Sequence, residues 1–418
     1  MTNSNACKFQ MIRASWLIDG KGGPPIRAGA LLLGGKTIIQ VGDQEQLRTP
    51  QGEQVKETSF SDCTILPGLV DAHTHLNMPG DGRSLIEVMA ESDDILLLRS
   101  ATNSRAALHK GVTSLRDNGG RRRTTFSLRE AIKTGVQMGP RLNLCGWPIT
   151  ITGGHCWMMG GEADGVEKLR EAVRQLIKHG ADYIKIMATG GSTPNSFPYR
   201  PSYTNEELRA IVDEAHRFGK LTGAHCRCTA GIASALDAGV DMLIHCDFQE
   251  ADGSWEFRPE IAERIAKAEI WVNPTLHVVR SIFLRERDRK MREGPSLEIE
   301  AALSEARGLW EGHRENFRRL REAGVKVVAG GDTGWGYVPF GDFAYELEAL
   351  HGEGGLSPME AIIAATHSAA DALGVVDKVG TLEPNKEADV LVVAGNPIDN
   401  IMDLMNVKAV FKAGKRVY

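Results

Sequence analysis

The chain is poor in the features that mark several large protein classes. Its seven cysteines, at positions 7, 63, 145, 156, 226, 228 and 246, follow no disulfide framework spacing. An odd number of scattered thiols, with no apolar leader core in "MTNSNACKFQMIRASW", leads us to expect reduced cysteines and a cytoplasmic protein. No apolar run approaches the ~18–20 residues of a spanning helix, so no membrane partner is expected. A net charge of −5 leaves no positive surplus for nucleic acid or an anionic membrane. Low-complexity tracts and repeats of roughly 20–50 residues are missing too, which speaks against solenoids and propellers. What remains is an ordinary globular composition, 42% hydrophobic and 25% charged, in a chain of 418 residues. That length can bury a large core and suggests one large domain with a smaller one.

Three zones can be separated. Residues 1–66 carry short β-rich runs, "ALLLGGKTIIQVG" and "SDCTILPG", and residues 377–418 carry similar ones, "ADVLVVAG" and "VKAVFKAGKRVY". These end segments are expected to join into one small β-sandwich domain. Between them, residues 67–376 alternate candidate strands with helix-like stretches such as "EKLREAVRQLIKHG" and "NEELRAIVDEAHRFG". Candidate strands fall at 69–75, 112–117, 141–145, 182–187, 221–225, 241–245, 270–275 and 325–329. Eight such units predict a parallel (β/α)8 barrel, whose active site lies at the C-terminal strand ends.

The residues that end those strands carry chemistry. "DAHTH" places His73 and His75 two apart, on the same side of a strand. Lys185 ends the fourth strand, His225 the fifth and His245 the sixth, while Asp332 follows the eighth in "AGGDTG". These six metal-compatible residues sit near the ends of five strands. Lys185 is the odd one, because a buried strand normally excludes an ammonium. Burial lowers a lysine's pKa, and a neutral amine can take up CO2 to form a carbamate that bridges two metal ions. The plainer alternative is that Lys185 pairs with an acid such as Asp182. Among the other histidines, 109, 179, 216, 313 and 351 have surface-like contexts. His367 suits a core or capping position, and His277 could line the barrel mouth.

With "LPGLVDAHTHL", "DYIKIMATGG", "AHC", "LIHC", "AGGDTG" and the tail "VGTLEPNKEADVLVVAGNPIDNI", the chain resembles the amidohydrolase superfamily over essentially its whole length. It is most similar to the branch near imidazolonepropionase, and within it to binuclear Xaa-Pro dipeptidase-like, amino-acid carboxypeptidase-like and ochratoxin-type amidases. The resemblance implies two divalent metal ions, zinc first among them, bridged by N6-carboxylated Lys185. It assigns His73 and His75 to one ion and His225 and His245 to the other. Asp332 would bind the first ion and handle protons. Imidazolonepropionase resembles a mononuclear design without the lysine, so Lys185 argues against that activity. The stretch His225–Cys226–Arg227–Cys228 lacks the glutamate of superfamily deaminases. In "TGGHCWMMGG", His155 corresponds to a histidine that reaches the substrate carbonyl in similar enzymes.

The expected activity is hydrolysis of a peptide or N-acyl bond to a C-terminal amino acid through a metal-bridging hydroxide. The substrate would be a small amide or dipeptide. Hydrolysis of a xenobiotic amide, urea or carbamate is the alternative, and a non-catalytic scaffold the least favoured reading. Relatives often carry tyrosine or histidine where this chain has Arg227, which strand alternation turns toward the mouth with His225. Arg227, together with Tyr199, Arg200 and Tyr203 of "STPNSFPYRPSYT", suggests a cationic, aromatic-edged rim for a substrate carboxylate. Pairing of Arg227 with Asp247 is the competing expectation. The mixed charges of 279–322 read as a solvated helix face or as the contact of a homo-oligomer.

Overall fold

Strand-forming runs from the two chain ends pair with each other in the computed structural model, which describes residues 8–418; Cys7 lies outside them. Phe9–Leu17 runs antiparallel to Gly29–Gly34 and parallel to the 13-residue strand Val55–Pro67. The same long strand then pairs antiparallel with Val390–Ala394, joining the two ends in a single hydrogen-bonded sheet. Period-two alternation puts Ile12 and Ala14, Leu31 and Leu33, and Val390 and Val392 into one apolar cluster. The other side of the sheet buries Met11, Ala30 and Leu32.

Gly68 separates this sheet from the barrel. Its approach to Thr113 is so close that a Cβ would lie 2.2 Å from the Thr113 hydroxyl. The barrel strands are Leu69–Thr74, Val112–Asp117, Arg141–Leu144, Ile184–Met187, Thr222–Cys228, Met242–Gln249, Trp271–Asn273 and Lys326–Val327. They form a parallel group of three and a parallel group of five. Backbone contacts close both gaps. Ile149 N–H donates to Lys185 and Met187 N–H to Ile149 on one side, while His75 N–H donates to Thr333 and Thr333 N–H to His73 on the other. The result is an eight-stranded parallel barrel in an α/β chain, in which strands buried on both faces read as continuous apolar runs.

Two local departures from the sequence expectation have physical causes. The last strand keeps only Lys326–Val327 of the expected 325–329. Beyond it, Ala329 N–H bonds the Ala364 carbonyl and Val70 N–H the Ala365 carbonyl, so the end of the helix Pro358–Ala364 takes ladder positions. After the seventh strand the chain forms an antiparallel helical hairpin, Leu276–Glu293 and Leu297–Glu322. Its second helix buries Trp310, His313, Phe317 and Leu320 along one face. His313 is therefore internal, not at the surface as its charged neighbours suggested. Of the core and capping positions expected for His367, the core is excluded: it is exposed at the first position of the helix His367–Ala372.

Candidate metal centre

The first barrel strand carries His73 and His75 to the mouth, with ring centroids 5.3 Å apart. Asp332, on the loop after the eighth strand, brings Oδ1 to 3.3 Å from His73 Nε2 and 3.2 Å from His75 Nε2. Asn273 Oδ1 lies 2.9 Å from His73 Nδ1. The Asn273 Nδ2 group faces the carbonyls of Val328 and Gly330, which assigns the amide: nitrogen to the carbonyls, oxygen to the histidine. His73 thus donates from Nδ1 and keeps its Nε2 lone pair. Burial holds this imidazole well below the usual range, so it is neutral. His75 turns Nδ1 toward the Gly119 carbonyl at 3.3 Å, freeing its own Nε2. Two imidazole lone pairs and a carboxylate oxygen consequently converge within 4.8 Å. Asp332 Oδ1 is buried and receives no hydrogen bond. Three acceptors facing one point fit a cation, and the donor set suits a divalent metal of the zinc type.

Backbone strain gathers around the same point. Asp332, His245 and Thr275 have φ of 50°, 67° and 55°. Such left-handed geometry is unfavourable for side-chain-bearing residues, above all for a β-branched threonine. Asp71 ties the Asp332 loop to the first strand. Its Oδ1 accepts from the N–H groups of His73 and Gly331 at 3.1 and 3.0 Å, and its Oδ2 from the Thr333 hydroxyl at 2.8 Å. Gly330 allows that loop to lie against the first strand, since a Cβ there would come within 2.8 Å of His73.

Lys185, His225 and His245 line the same cavity. The lysine is buried, and desolvation lowers its ammonium to about 8. Asp182 does not pair with it; that carboxylate bonds Arg129 at 2.6 Å and accepts the Leu144 N–H. His225 donates from Nε2 to the Gly190 carbonyl at 3.0 Å, leaving Nδ1 free. His245 engages Thr275 Oγ1 through Nδ1 at 2.8 Å, leaving Nε2. Burial depresses both imidazoles well below their usual range. Ring centroids lie 4.7 Å apart for His225 and His245, and 5.7 Å for His73 and His245.

The glycine pair after Lys185 has a steric role. A Cβ on Gly190 would sit 1.7 Å from the Ser196 carbonyl, and one on Gly191 would sit 2.6 Å from the His155 ring. The loop can therefore lie against both His155 and His225, whose centroids are 4.6 Å apart. His155 Nδ1 lies 2.8 Å from Thr193 Oγ1, which already accepts the Cys156 N–H. The hydroxyl keeps a proton that it can donate to His155 Nδ1, and in that tautomer Nε2 carries the N–H on the cavity side. Burial lowers the His155 imidazole to about 3, so it is a neutral donor.

Arg227 also lines the cavity and pairs with the fully buried Asp247 at 2.7 Å. It thus reaches the mouth, as strand alternation indicated, and it carries the Asp247 partner of the competing expectation. Tyr203 does not reach the cavity; it packs in the barrel core with an unpartnered hydroxyl. Arg200 is exposed, and Tyr199 lies half-buried against Gly253. His277 stacks on Tyr345 at 5.3 Å, while its neighbours Val278, Val279 and Ile282 form the apolar wall with Met187 and Trp335. The cavity is narrow, with a volume of ≈ 100 Å³. Trp335, Asn273, Asp71 and Thr275 escaped the sequence reading. Only Trp335, three residues after Asp332, offered a local signal.

A parallel barrel with convergent imidazoles and a carboxylate at its C-terminal mouth has the layout of a barrel hydrolase. Residues 64–417 match the Amidohydrolase family, and the chain belongs to it. Ochratoxinase of Aspergillus niger is 30% identical over 449 aligned positions, covering 99% of this chain and 88% of that protein. Its crystal structure superposes with a TM-score of 0.83 at 29% identity, covering 98% of this chain and 96% of that one. A Xaa-Pro dipeptidase with bound methionine in the active site gives a TM-score of 0.84 at 27% identity, covering 98% and 99%. Imidazolonepropionase of Geobacillus kaustophilus is 25% identical, covering 94% of this chain and 90% of that protein.

Proposed function

We propose that the protein hydrolyses an amide bond between an acyl or aminoacyl group and a C-terminal amino acid. The observation that carries this reading is the Arg227 guanidinium lining the same cavity as the six metal-compatible residues. His73, His75 and Asp332 would hold one divalent ion, His225 and His245 a second, and N6-carboxylated Lys185 would bridge them. Zinc is the first choice for imidazole and carboxylate donors. When bound, the ions would supply an activated water at neutral pH and polarise the scissile carbonyl. Asp332 takes the proton from the attacking water and passes it to the leaving amine. The Nε2–H of His155 donates to the carbonyl oxygen as it gains charge. Arg227 offers its fork of N–H donors to the α-carboxylate of the leaving amino acid. The wall of Met187, Val278, Val279, Ile282 and Trp335 receives apolar groups. Support comes from the methionine seated in the active site of the similar Xaa-Pro dipeptidase.

A second reading, hydrolysis of a xenobiotic amide, draws on the likeness to ochratoxinase and on the same apolar wall. The test compares kcat/KM for an N-acyl amino acid with that for its C-terminal amide, in wild type and Arg227→Ala. Loss of a charged hydrogen bond of about 1.5–3 kcal/mol should lower the value for the acid by roughly 10–150-fold. Equal rates on acid and amide in the wild type would remove the first reading and favour the second.

A further inference from the structure

Arg227, itself partly buried, belongs to a chain of three charged groups. Its Nε donates to Asp247 Oδ2 at 2.7 Å. The other carboxylate oxygen lies 2.6 Å from His313 Nδ1, and His313 Nε2 lies 2.7 Å from the Pro274 carbonyl. Asp247 and His313 are almost wholly buried. A carboxylate and a carbonyl oxygen can only accept, so both ring nitrogens of His313 donate and the ring is an imidazolium. Two cations share one carboxylate, and the group carries a net charge of +1. If His313 were neutral, Asp247 would cancel Arg227 and the cavity wall would offer no net charge to an anion.

His313 is held there by the second helix of the hairpin, Leu297–Glu322, whose mixed charges read in sequence as a solvated face or an oligomer contact. Gly312 lets that helix lie flat against Trp255, because a Cβ would come within 2.5 Å of the indole. One turn on, Asn316 Nδ2 donates to the Cys246 carbonyl at 2.6 Å. His313 and Asn316 thus hold the end of the sixth barrel strand at Asp247 and Cys246, and Gly312 packs beside them on Trp255.

We infer that His313 is a positioning residue: it orients Asp247 and leaves the Arg227 anchor with a net positive charge, setting the preference for an anionic leaving group. The inference rests on the reading of Arg227 as the anion anchor. Metal-loaded wild type and His313→Gln are compared on an N-acyl amino acid and its C-terminal amide, with metal content and Tm recorded. The acid-to-amide ratio of kcat/KM should fall about tenfold, mostly through KM for the acid, as expected for one unit charge acting through a partly buried site. Ring ¹⁵N signals of His313, identified by their loss in His313→Gln or His313→Asn, should report a doubly protonated ring in the wild type at pH 7. A neutral ring overturns the inference, and so does a wild-type acid preference that survives in His313→Gln. A wild type with no acid preference removes the anchor reading and this inference together.

Discussion

Asn273 is the sharpest probe of how the centre is held. Its side chain touches no substrate-facing surface; it accepts from His73 Nδ1 at 2.9 Å and donates to Val328 and Gly330 carbonyls at 3.3 and 3.1 Å. Replacement by alanine removes the acceptor that fixes the His73 tautomer, so Nε2 no longer keeps its lone pair permanently toward Asp332. Partners of this kind are worth roughly 10–100-fold in metal affinity. That corresponds to about 1.4–2.7 kcal/mol. The two carbonyls also lose a donor, and an unsatisfied buried group costs about 1–3 kcal/mol in folding stability. Asn273→Asp separates the two effects. It preserves an acceptor for His73 but sets a carboxylate against the two carbonyls, so it should lose more stability than metal affinity. The assay is competition for zinc against a chelating dye, paired with urea denaturation of the metal-free protein. Metal affinity in Asn273→Ala within about twofold of wild type, well short of the expected loss, would refute the claim that this amide presets His73.

Lys185→Ala should abolish turnover and lower metal content toward one ion per chain by elemental analysis, with partial rescue by short carboxylic acids; a fully metallated, active enzyme with unmodified Lys185 would falsify the bridge. His155→Asn should lower kcat by roughly 10²–10³ with normal metal content, the scale of one oxyanion donor; loss of metal instead would show that His155 is a ligand. Glu346 is wholly buried, accepts the N–H groups of Leu276 and His277, and burial raises its carboxyl from 4.5 to about 8. A raised carboxyl pKa means that the folded state binds the proton more tightly, so its stabilising contribution is complete below pH 4.5 and is lost as pH rises through 8. The full span is on the order of 5 kcal/mol. Denaturation midpoints measured from pH 5 to 9 should show a shallower decline in Glu346→Gln, and an identical slope would contradict this.

Much of the site was legible in the sequence because barrel geometry is local at each strand end. Period-two alternation alone predicts that His73 and His75 share a side, and one strand-ending residue per unit suffices to place Lys185, His225, His245 and Asp332 around a common mouth. The (β/α)8 class followed from the alternation of strand and helix signals, and the shared end sheet from similar β-rich runs. Tertiary structure decided what depends on groups far apart in the chain. Asn273 meets His73 across 200 residues, Asp71 holds a loop 260 residues away, and His313 reaches Asp247 from a helix whose charged composition reads as solvent-facing. Tyr203 turned inward to the barrel core, while Trp335 took the cavity edge that Tyr203 was expected to occupy. Residue types and strand period record which side chains face the mouth. The lone pairs, protons and net charge there depend on hydrogen-bond partners that only chain closure brings within 3 Å.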